Sequence, residues 1–429
     1  MSIALLTIGI FLLLLLLGLP VAFTFFAAGA VGITLYRNFE SALTLLGTSS
    51  FIEGSNYILV AIPLFIFMGR LVYGSGLSKE LYAAGYIWLG RFRGGLAHAT
   101  VVTLAFFAAC TGSSMASVAT MAPIAMPEME RFKYDDKLAS GAIASAGTLG
   151  ILIPPSIAFI VYGYICQVPV GPLFVAGILP GILLTFAFMA TVSVKCWINP
   201  KLGPSGPSFP WRERFRSLKG IWWSVAIFTL IIGGIYTGLF TPTEAAGMGA
   251  FLVFIILLFQ RRLTWKDLLD ALKDTVITSC MILTIFIGTK VFNTFLGLSG
   301  IAEAAMEALS HLPLSPKGII AVILLAYIPL GCFIDSMPLA ILTLPIVFPV
   351  VRDLGFDPLW FGVLHVVTSE ISLITPPVGM NVYVLGGVTK KPLEVIFRGT
   401  MPYLIALVAG LFVLFFFPSI SLILPKTMG

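Results

Sequence analysis

The sequence has few charged residues and little that keeps a protein in solution. Lys, Arg, Asp and Glu make up 10% of its 429 residues, whereas hydrophobic residues make up 59%. Apolar runs of membrane-spanning length recur from one end to the other, which excludes a soluble domain. Because hydrocarbon offers no water to unpaired backbone groups, and the runs lack the alternation of a barrel, they must be helices. The sequence therefore predicts an all-α polytopic membrane protein.

Cysteine and histidine are scarce, and neither forms a recognisable cluster. The cysteines show no metal-ligand or redox spacing, so we interpret them as small packing residues rather than disulfide partners. The histidines are far apart in the chain and are interpreted as satisfied polar residues rather than metal ligands. An enzyme would need a convergent titratable cluster, which is not evident, so catalysis is not expected. The residues are Cys110, Cys166, Cys196, Cys280 and Cys332, and His98, His311 and His365.

Prolines reveal an internal repeat. Six prolines of the first half have a proline 222 positions later, without a gap. The pairs are Pro20 with Pro242, Pro123 with Pro345, Pro127 with Pro349, Pro154 with Pro376, Pro155 with Pro377 and Pro180 with Pro402. Since each proline constrains the backbone, the register predicts a duplicated unit. We expect repeats at 1–197 and 221–429, joined by a cytoplasmic linker at 198–220.

Each repeat reads as three spans, a re-entrant helical hairpin, a broken helix and a last span. The hairpins are expected at 98–130 and 318–351, and the broken helices at 139–166 and 359–387. With the broken helix, each unit crosses five times, and an odd number gives the two units opposite topology. The remaining spans are expected at about 3–18, 20–36, 57–74, 172–196, 221–239, 242–260, 275–297 and 400–424.

The distribution of basic residues gives an orientation. With the linker in the cytoplasm, most Lys and Arg lie on that side, as the positive-inside rule requires. The opposite side keeps Arg37, Lys317, Arg352 and Lys426. This predicts ten spans, two hairpins and both termini outside. Short amphipathic stretches are expected at the membrane interface, at Lys79 to Arg91, Trp265 to Lys273 and Ile301 to His311.

In the first repeat, a hairpin turn and a Pro-Pro pair interrupt the helices. The chain turns at 111–114, and a helix that begins near Ser113 points free N–H groups and its positive end at the turn. Pro154 and Pro155 remove two N–H donors and extend the backbone before them, which frees carbonyls such as those of Gly150 and Ile153. Such oxygen-rich breaks suit Na⁺, and the restarted helix offers N–H groups to an anion. The alternative is an ordinary proline kink.

The second repeat carries the same features at 331–337 and 368–381, which predicts two cation sites flanking one substrate site. Asp335 at the hairpin turn would be costly in a membrane unless it binds a cation or accepts hydrogen bonds. Glu370 either supports that site or bonds a neighbouring helix. Lys290 either binds an anionic substrate or pairs with a helix or another subunit. Glu244 belongs to the pattern of a capping box with Thr241.

Several stretches resemble the large membrane subunit of TRAP transporters, the tripartite ATP-independent periplasmic family. They are LLLLGLPVAF near the N-terminus, PLFIFMG at 63–69, TGSSMASVATMAPIAMPEM, TLGILIPPS, TPTEAAG at 241–247 and TPPVGMNVYVLGG. The resemblance covers nearly the whole chain. It implies an elevator-type, Na⁺-coupled importer of organic acids, of the sialic acid or C4-dicarboxylate class, in a bacterial inner membrane. It also implies two partners, a small four-helix membrane subunit and a periplasmic substrate-binding protein.

The resemblance places Na⁺ at the hairpin tips and adjoining helix breaks, with at least two sites. The expected Na⁺ ligands are Thr111, Gly112, Ser113, Gly150, Ile153, Pro155, Gly331, Asp335, Thr368, Ser372 and Thr375. We expect the substrate beside Ser113, Ser114, Pro155, Ser156, Asp335, Ser336, Pro377 and Asn381. A standalone Na⁺/dicarboxylate symporter and a channel remain as alternatives, since both are compatible with paired hairpins.

Overall fold

The computed structural model describes residues 2–301 and 313–428, except for the side chains of residues 2 and 108–111. Within these ranges the regular structure is entirely helical, which confirms the predicted all-α class.

The first half contains eleven α-helices. They are α1 (Ser2–Leu16), α2 (Val21–Tyr36), α3 (Phe39–Gly54), α4 (Ala61–Gly74), α5 (Leu77–Leu89), α6 (Gly95–Thr111), α7 (Ser114–Arg131), α8 (Asp136–Ala146), α9 (Leu149–Leu152), α10 (Ile157–Cys166) and α11 (Val170–Ile198).

The linker and the second half contain the rest of the described α-helices. They are α12 (Trp211–Ser217), α13 (Trp222–Tyr236), α14 (Pro242–Phe259), α15 (Trp265–Ser299), α16 (Pro316–Phe333), α17 (Ser336–Asp353), α18 (Pro358–Ile374), α19 (Met380–Thr389), α20 (Leu393–Phe416) and α21 (Ser419–Leu422).

Helix bounds follow the same offset as the prolines. Both ends of α7 lie 222 residues before the corresponding ends of α17. The clearest difference between equivalent elements is that α8 and α9 are separate helices before the first Pro-Pro pair, whereas α18 runs unbroken to the second. The offset therefore relates elements as well as single residues.

The two halves are interlocked rather than side by side. Within a central group, α6–α11 with α16–α20, first-half α7, α8 and α10 pack on second-half α19, α20 and α17. A Cβ on Gly141 of α8 would collide with the carbonyl of Gly399 on α20, so these helices cross backbone to backbone. A peripheral group, α1–α4 with α13–α15, is built the same way, because α2 packs on α15 and α4 on α14.

Several predicted bounds were wrong. Residues 265–273 were expected to form a separate interfacial helix, but they are the first turns of the 35-residue α15. A capping box of Thr264 and Asp267 starts this helix and no proline interrupts it, so it runs on. The last span begins at Leu393 rather than 400 and ends at Phe416, because Pro418 follows.

Two helices were not predicted at all, α3 and α12. The N-cap of helix α3 is Asn38, whose side chain accepts a hydrogen bond from the Ser41 N–H at 2.8 Å. Helix α5 covers most of the stretch 79–91 that was expected at the membrane interface, whereas the predicted stretch 301–311 lies almost wholly outside the described residues.

Six described helices are long and apolar enough to cross a membrane, and up to nine spans result if each of three bent helix pairs counts as one. Both arms of the second hairpin, α16 and α17, are among the six. Helices α1 and α2 are 15 and 16 residues long, shorter than the roughly 20 that a spanning helix needs. The count of ten spans with re-entrant hairpins stays a prediction.

Four cysteines are described, and all four carry free thiols. Cys166, Cys196 and Cys332 are buried, which confirms their packing role. Cys280 is exposed, so its assignment as a packing residue was wrong. The side chain of Cys110 lies outside the described residues.

Candidate functional site

The first hairpin tip joins α6 to α7 at Gly112 and Ser113. Gly112 adopts φ +61°, which favours glycine, and the Ser113 side chain accepts the Ala116 N–H at 3.4 Å as the N-cap of α7. A Cβ on Gly112 would lie 3.2 Å from Cγ1 of Ile157, so the tip sits against the start of α10. The helix restart predicted near Ser113 is thus confirmed. The side chain of Thr111 lies outside the described residues.

The first break lies between α9 and α10. Ile153 has extended backbone at φ −81° and ψ 120°, as expected for a residue before proline. Ser156 then caps α10, its hydroxyl accepting the Phe159 N–H at 3.3 Å. Gly150 and Pro155 are buried. Pro155 lies beside Met68 and Trp223 of the peripheral group in a small apolar cavity, away from the second hairpin tip.

The second hairpin tip joins α16 to α17 at Ile334 and Asp335. The Asp335 carboxylate accepts the Ser336 N–H at 2.9 Å and is the N-cap of α17. Upstream, a Cβ on Gly331 would overlap the Ser372 side chain of α18, so only glycine allows this approach. The second tip is therefore held against the helix that leads into its own break.

The second break follows α18. Thr375 has extended backbone at φ −90° and ψ 133°, and Gly379 adopts φ +59° before α19 begins. The Cys332 Sγ of the tip lies 3.7 Å from the Thr375 carbonyl oxygen. Unlike the first Pro-Pro pair, Pro376 and Pro377 are exposed. The two breaks share a backbone path but not an environment.

Side chains from the two repeats meet between these segments. The Ser114 hydroxyl, beside the first tip, donates to Glu370 Oε2 at 2.5 Å just before the second break. Asn381, just after the second break, donates its amide N–H to the Ala144 carbonyl of α8 at 3.3 Å. The tips and breaks that the sequence predicted separately thus lie in one region, at the interface of the halves.

The charges in this region are unbalanced. Glu370 is 2% exposed and Asp335 is partly buried, and among the described residues neither has a Lys, Arg or His partner within 4.0 Å. A buried carboxylate without a counter-charge is costly, so the region is suited to cations.

Several oxygens around the carboxylates are also without partners. In the described part of the chain, buried atoms that make no hydrogen bond include Thr368 Oγ1, Glu370 Oε1 and Asn381 Oδ1. The hydroxyl of Thr368, an expected Na⁺ ligand, is thus unpaired among the described atoms. In contrast, the Ser372 hydroxyl donates to the Ser369 carbonyl at 2.5 Å, and that of Thr375 to the Ile371 carbonyl at 2.6 Å. Both hydroxyls keep lone pairs for a cation.

A small cavity beside the tip of the second hairpin brings in residues that the sequence did not single out. It is lined by Ser336, Ser369, Glu370 and His365 together with apolar side chains. The prediction that every histidine is satisfied was wrong for His365, because neither ring nitrogen has a partner among the described atoms. The spacing of His365 and Ser369, four residues apart on one helix face, was the available signal.

Two other polar residues lie away from this region. Glu244 forms the predicted capping box, because its carboxylate accepts the Thr241 N–H at 2.8 Å and the Thr241 hydroxyl accepts the Glu244 N–H. Lys290 lines a separate polar cavity of about 310 Å³ together with Glu53 and Asn293. The Tyr164 hydroxyl donates to Glu53 in this cavity and joins α10 to α3.

Residues 8–420 match the family model described as "Tripartite ATP-independent periplasmic transporter, DctM component". The chain belongs to this TRAP transporter family. Its role is therefore that of a transporter permease, as the sequence motifs predicted. As a TRAP permease, the chain contributes one component of a tripartite system.

Characterised TRAP permeases align over nearly the whole chain. The chain is 34% identical to the C4-dicarboxylate TRAP transporter large permease protein DctM of Pseudomonas aeruginosa, covering 94% of this chain and 93% of that one. It is 30% identical to the sialic acid TRAP transporter large permease protein SiaM of Vibrio cholerae, covering 96% of each. Its fold is similar to that of MtrF, an efflux pump of Neisseria gonorrhoeae, with a TM-score of 0.59, 13% identity and coverage of 88% and 84%.

Proposed function

We propose that this TRAP permease imports an organic acid together with Na⁺, and that Na⁺ binds where the hairpin tips meet the helix breaks. One observation carries the proposal. Asp335 and Glu370 place two carboxylates, without a Lys or Arg partner among the described residues, beside unpaired buried oxygens at the interface of the halves. Two monovalent cations would balance those charges.

The donor set fits Na⁺ because it consists of oxygen atoms. The first site would use backbone around Gly112 and Ser113 with carbonyls near Gly150, Ile153 and Pro155, whereas the second would use Asp335. The other donors of the second site would be Gly331, Thr368, Ser372 and Thr375. Hard cations are held by carbonyl, hydroxyl and carboxylate oxygens, and freed carbonyls at broken membrane helices provide them.

The substrate would bind between the two Na⁺ sites. The N-termini of α7, α10 and α17 begin at Ser114, Ile157 and Ser336, and their free N–H groups favour an anionic group. Asn381 is buried on α19, which packs on α7. The relatives are named for C4-dicarboxylate and sialic acid, which are organic acids, so we extend that class to this chain.

The same proposal assigns movement. The central group carries both tips and both breaks, so it would move as the elevator unit against the peripheral group, in the manner of inverted-repeat transporters. The Tyr164 to Glu53 hydrogen bond and the packing of Pro155 beside Trp223 join the groups in this conformation. A bacterial inner membrane, a small membrane subunit and a periplasmic binding protein complete the system, with both termini on the periplasmic side.

Uptake into proteoliposomes tests this function. The chain is reconstituted with its small membrane subunit, and the cognate binding protein is loaded with the organic acid that it selects in a thermal-shift screen. We expect accumulation when Na⁺ is high outside and none when K⁺ replaces it. Transport that ignores Na⁺ would contradict the coupling. Transport without the binding protein would identify a standalone symporter instead.

A further inference from the structure

The hydrogen bond between Ser114 and Glu370 joins two segments that belong to different candidate cation sites. Ser114 is 1% exposed and follows Ser113 at the first tip, and Glu370 is 2% exposed and lies one turn before Ile374, where α18 ends. The residues are 256 positions apart, and the oxygen atoms are 2.5 Å apart. A short bond between a hydroxyl and a carboxylate, away from water, is strong and directional.

The residues that the internal repeat makes equivalent to Ser114 and Glu370 do not form a corresponding hydrogen bond. Subtracting the offset of 222 from Glu370 gives Thr148, and adding it to Ser114 gives Ser336. Thr148 donates locally to the Ser145 carbonyl at 2.6 Å, and Ser336 bonds the adjacent Asp335. The second repeat thus has a long acidic side chain where the first has a short hydroxyl, and only that side chain reaches across.

A cation at either site would restrain one end of this bond. Na⁺ at the first site would order Gly112 and Ser113 and thereby fix the Ser114 hydroxyl. Na⁺ at the second site would order α18 between Thr368 and Thr375 and thereby fix the Glu370 carboxylate. The ion that binds first would then order both ends of the hydrogen bond. The second ion would bind to a segment that is already ordered.

We infer that Glu370 is a positioning residue that couples the two cation sites through Ser114, so that Na⁺ binds cooperatively. The inference rests on the proposed function, because it requires both sites to bind Na⁺. In this role Glu370 links the ordering of one repeat to that of the other, whereas Asp335 coordinates Na⁺ directly.

Na⁺ titration of the purified chain tests the coupling without a substrate. Thermal unfolding in detergent is followed as NaCl replaces choline chloride at constant ionic strength. For the wild type we expect stabilisation with a Hill coefficient clearly above about 1, where two coupled sites set a limit of about 2. Glu370→Met and Ser114→Ala remove the bond and should lower the coefficient to about 1 while Na⁺ still stabilises. Glu370→Gln keeps an acceptor oxygen and should retain cooperativity.

Thr120→Val is the matched control. It removes a hydrogen bond from the same helix, the one from Thr120 to the Ala116 carbonyl at 2.7 Å, but no link between repeats. It should lower the melting temperature and leave the Hill coefficient at the wild-type value. Ser114→Ala removes one oxygen atom, so it carries the test if Glu370→Met does not fold.

The outcomes separate the two proposals. A wild type whose melting temperature ignores Na⁺ overturns the sodium coupling, and the link falls with it. A wild type that responds cooperatively, with the same coefficient in Ser114→Ala, overturns the link alone and leaves Glu370 a packing residue. A coefficient that falls equally in Thr120→Val also overturns the link, since any weakened α7 would then suffice.

Discussion

Asp335 has two roles at the second hairpin tip, and they respond differently to substitution. Its carboxylate caps α17 through the Ser336 N–H, and its charge is the feature that we assign to Na⁺. Asparagine caps helices about as well as aspartate, so Asp335→Asn separates the roles.

Asp335→Asn should melt near the wild-type temperature in the absence of Na⁺ and bind Na⁺ more weakly. Loss of one charged ligand, at about 1.5–3 kcal/mol, corresponds to roughly a 10- to 150-fold weaker affinity. Asp335→Ala should lose both cap and affinity. Na⁺-driven uptake and Na⁺ titration provide the measurements, and wild-type Na⁺ affinity in both variants would remove Asp335 from the site.

Gly331 approaches Ser372 so closely that no room is left for a methyl group. Gly331→Ala should push the second hairpin away from α18 and destabilise the fold by about 1–3 kcal/mol, with weakened Na⁺ binding. Gly297→Ala, at a helical glycine with nothing within 4 Å of the added Cβ, is the control and should be neutral or stabilising.

The double variant Gly331→Ala with Ser372→Gly removes the obstructing side chain. It should restore part of the lost stability in thermal unfolding. If the single variant behaves like the wild type, hairpin and helix are not held together by this contact.

The roles of single residues were predictable from the sequence where they depend on the chemistry of the residue itself or of its near neighbours in the chain. The cost of a carboxylate in a membrane singled out Asp335, and the spacing of Thr241 and Glu244 indicated a capping box. The partner of Glu370 was not predictable, since Ser114 is 256 residues away and only the tertiary fold brings them together. The unpaired ring nitrogens of His365 were missed, although its spacing from Ser369 placed both residues on one helix face.

Lys391 joins the loop between α19 and α20 to the adjacent ends of α7 and α8. Its ammonium group lies 2.8 Å from Glu130 near the end of α7 and 2.9 Å from Asp136 at the start of α8. The Lys391 ammonium donates hydrogen bonds to the Glu130 and Asp136 carboxylates, and this raises the pKa of Lys391 above its usual value. A raised lysine pKa stabilises the fold at neutral pH, and that stability is lost as the pH rises through the folded-state pKa.

Lys391→Met should therefore unfold at a lower temperature at pH 7, by a difference of about 0.5–1 kcal/mol in the free energy of unfolding. The gap to the wild type should narrow at alkaline pH, above about 10.4, as the wild-type ammonium loses its proton. Lys390→Met is the matched control, because Lys390 makes no ion pair in the described part of the chain. A gap that does not depend on pH would indicate lost packing instead of lost charge.

Helix breaks and helix starts that depend on a few neighbouring residues were predicted correctly. The Pro-Pro pairs located both helix breaks, and the helix restart near Ser113 was expected from the turn before it. Helix α3 was missed because its sequence is neither apolar enough for a span nor strongly basic. Helix α15 was divided in two because the polar residues near Lys273 imitate the end of a span, although the backbone continues through them.

For the whole molecule, the offset of 222 predicted two related halves but not how they fit together. The offset does not predict whether the two repeats pack side by side or interlock. Their packing depends on contact surfaces such as the Gly141 to Gly399 crossing. The interlocked arrangement brings first-half α7 against second-half α19. As a result each half contributes to the region where the other half breaks.

The unequal burial of the two Pro-Pro pairs affects how a mutational scan of this protein would read. Pro155 is packed beside Met68 and Trp223, so substitutions there disturb a protein core whether or not the residue has any part in transport. Pro377 is exposed, and a replacement there has little packing to disturb. A loss of transport after substitution of Pro377 would therefore reflect a role in transport. The same loss after substitution of Pro155 would first reflect lower stability of the fold.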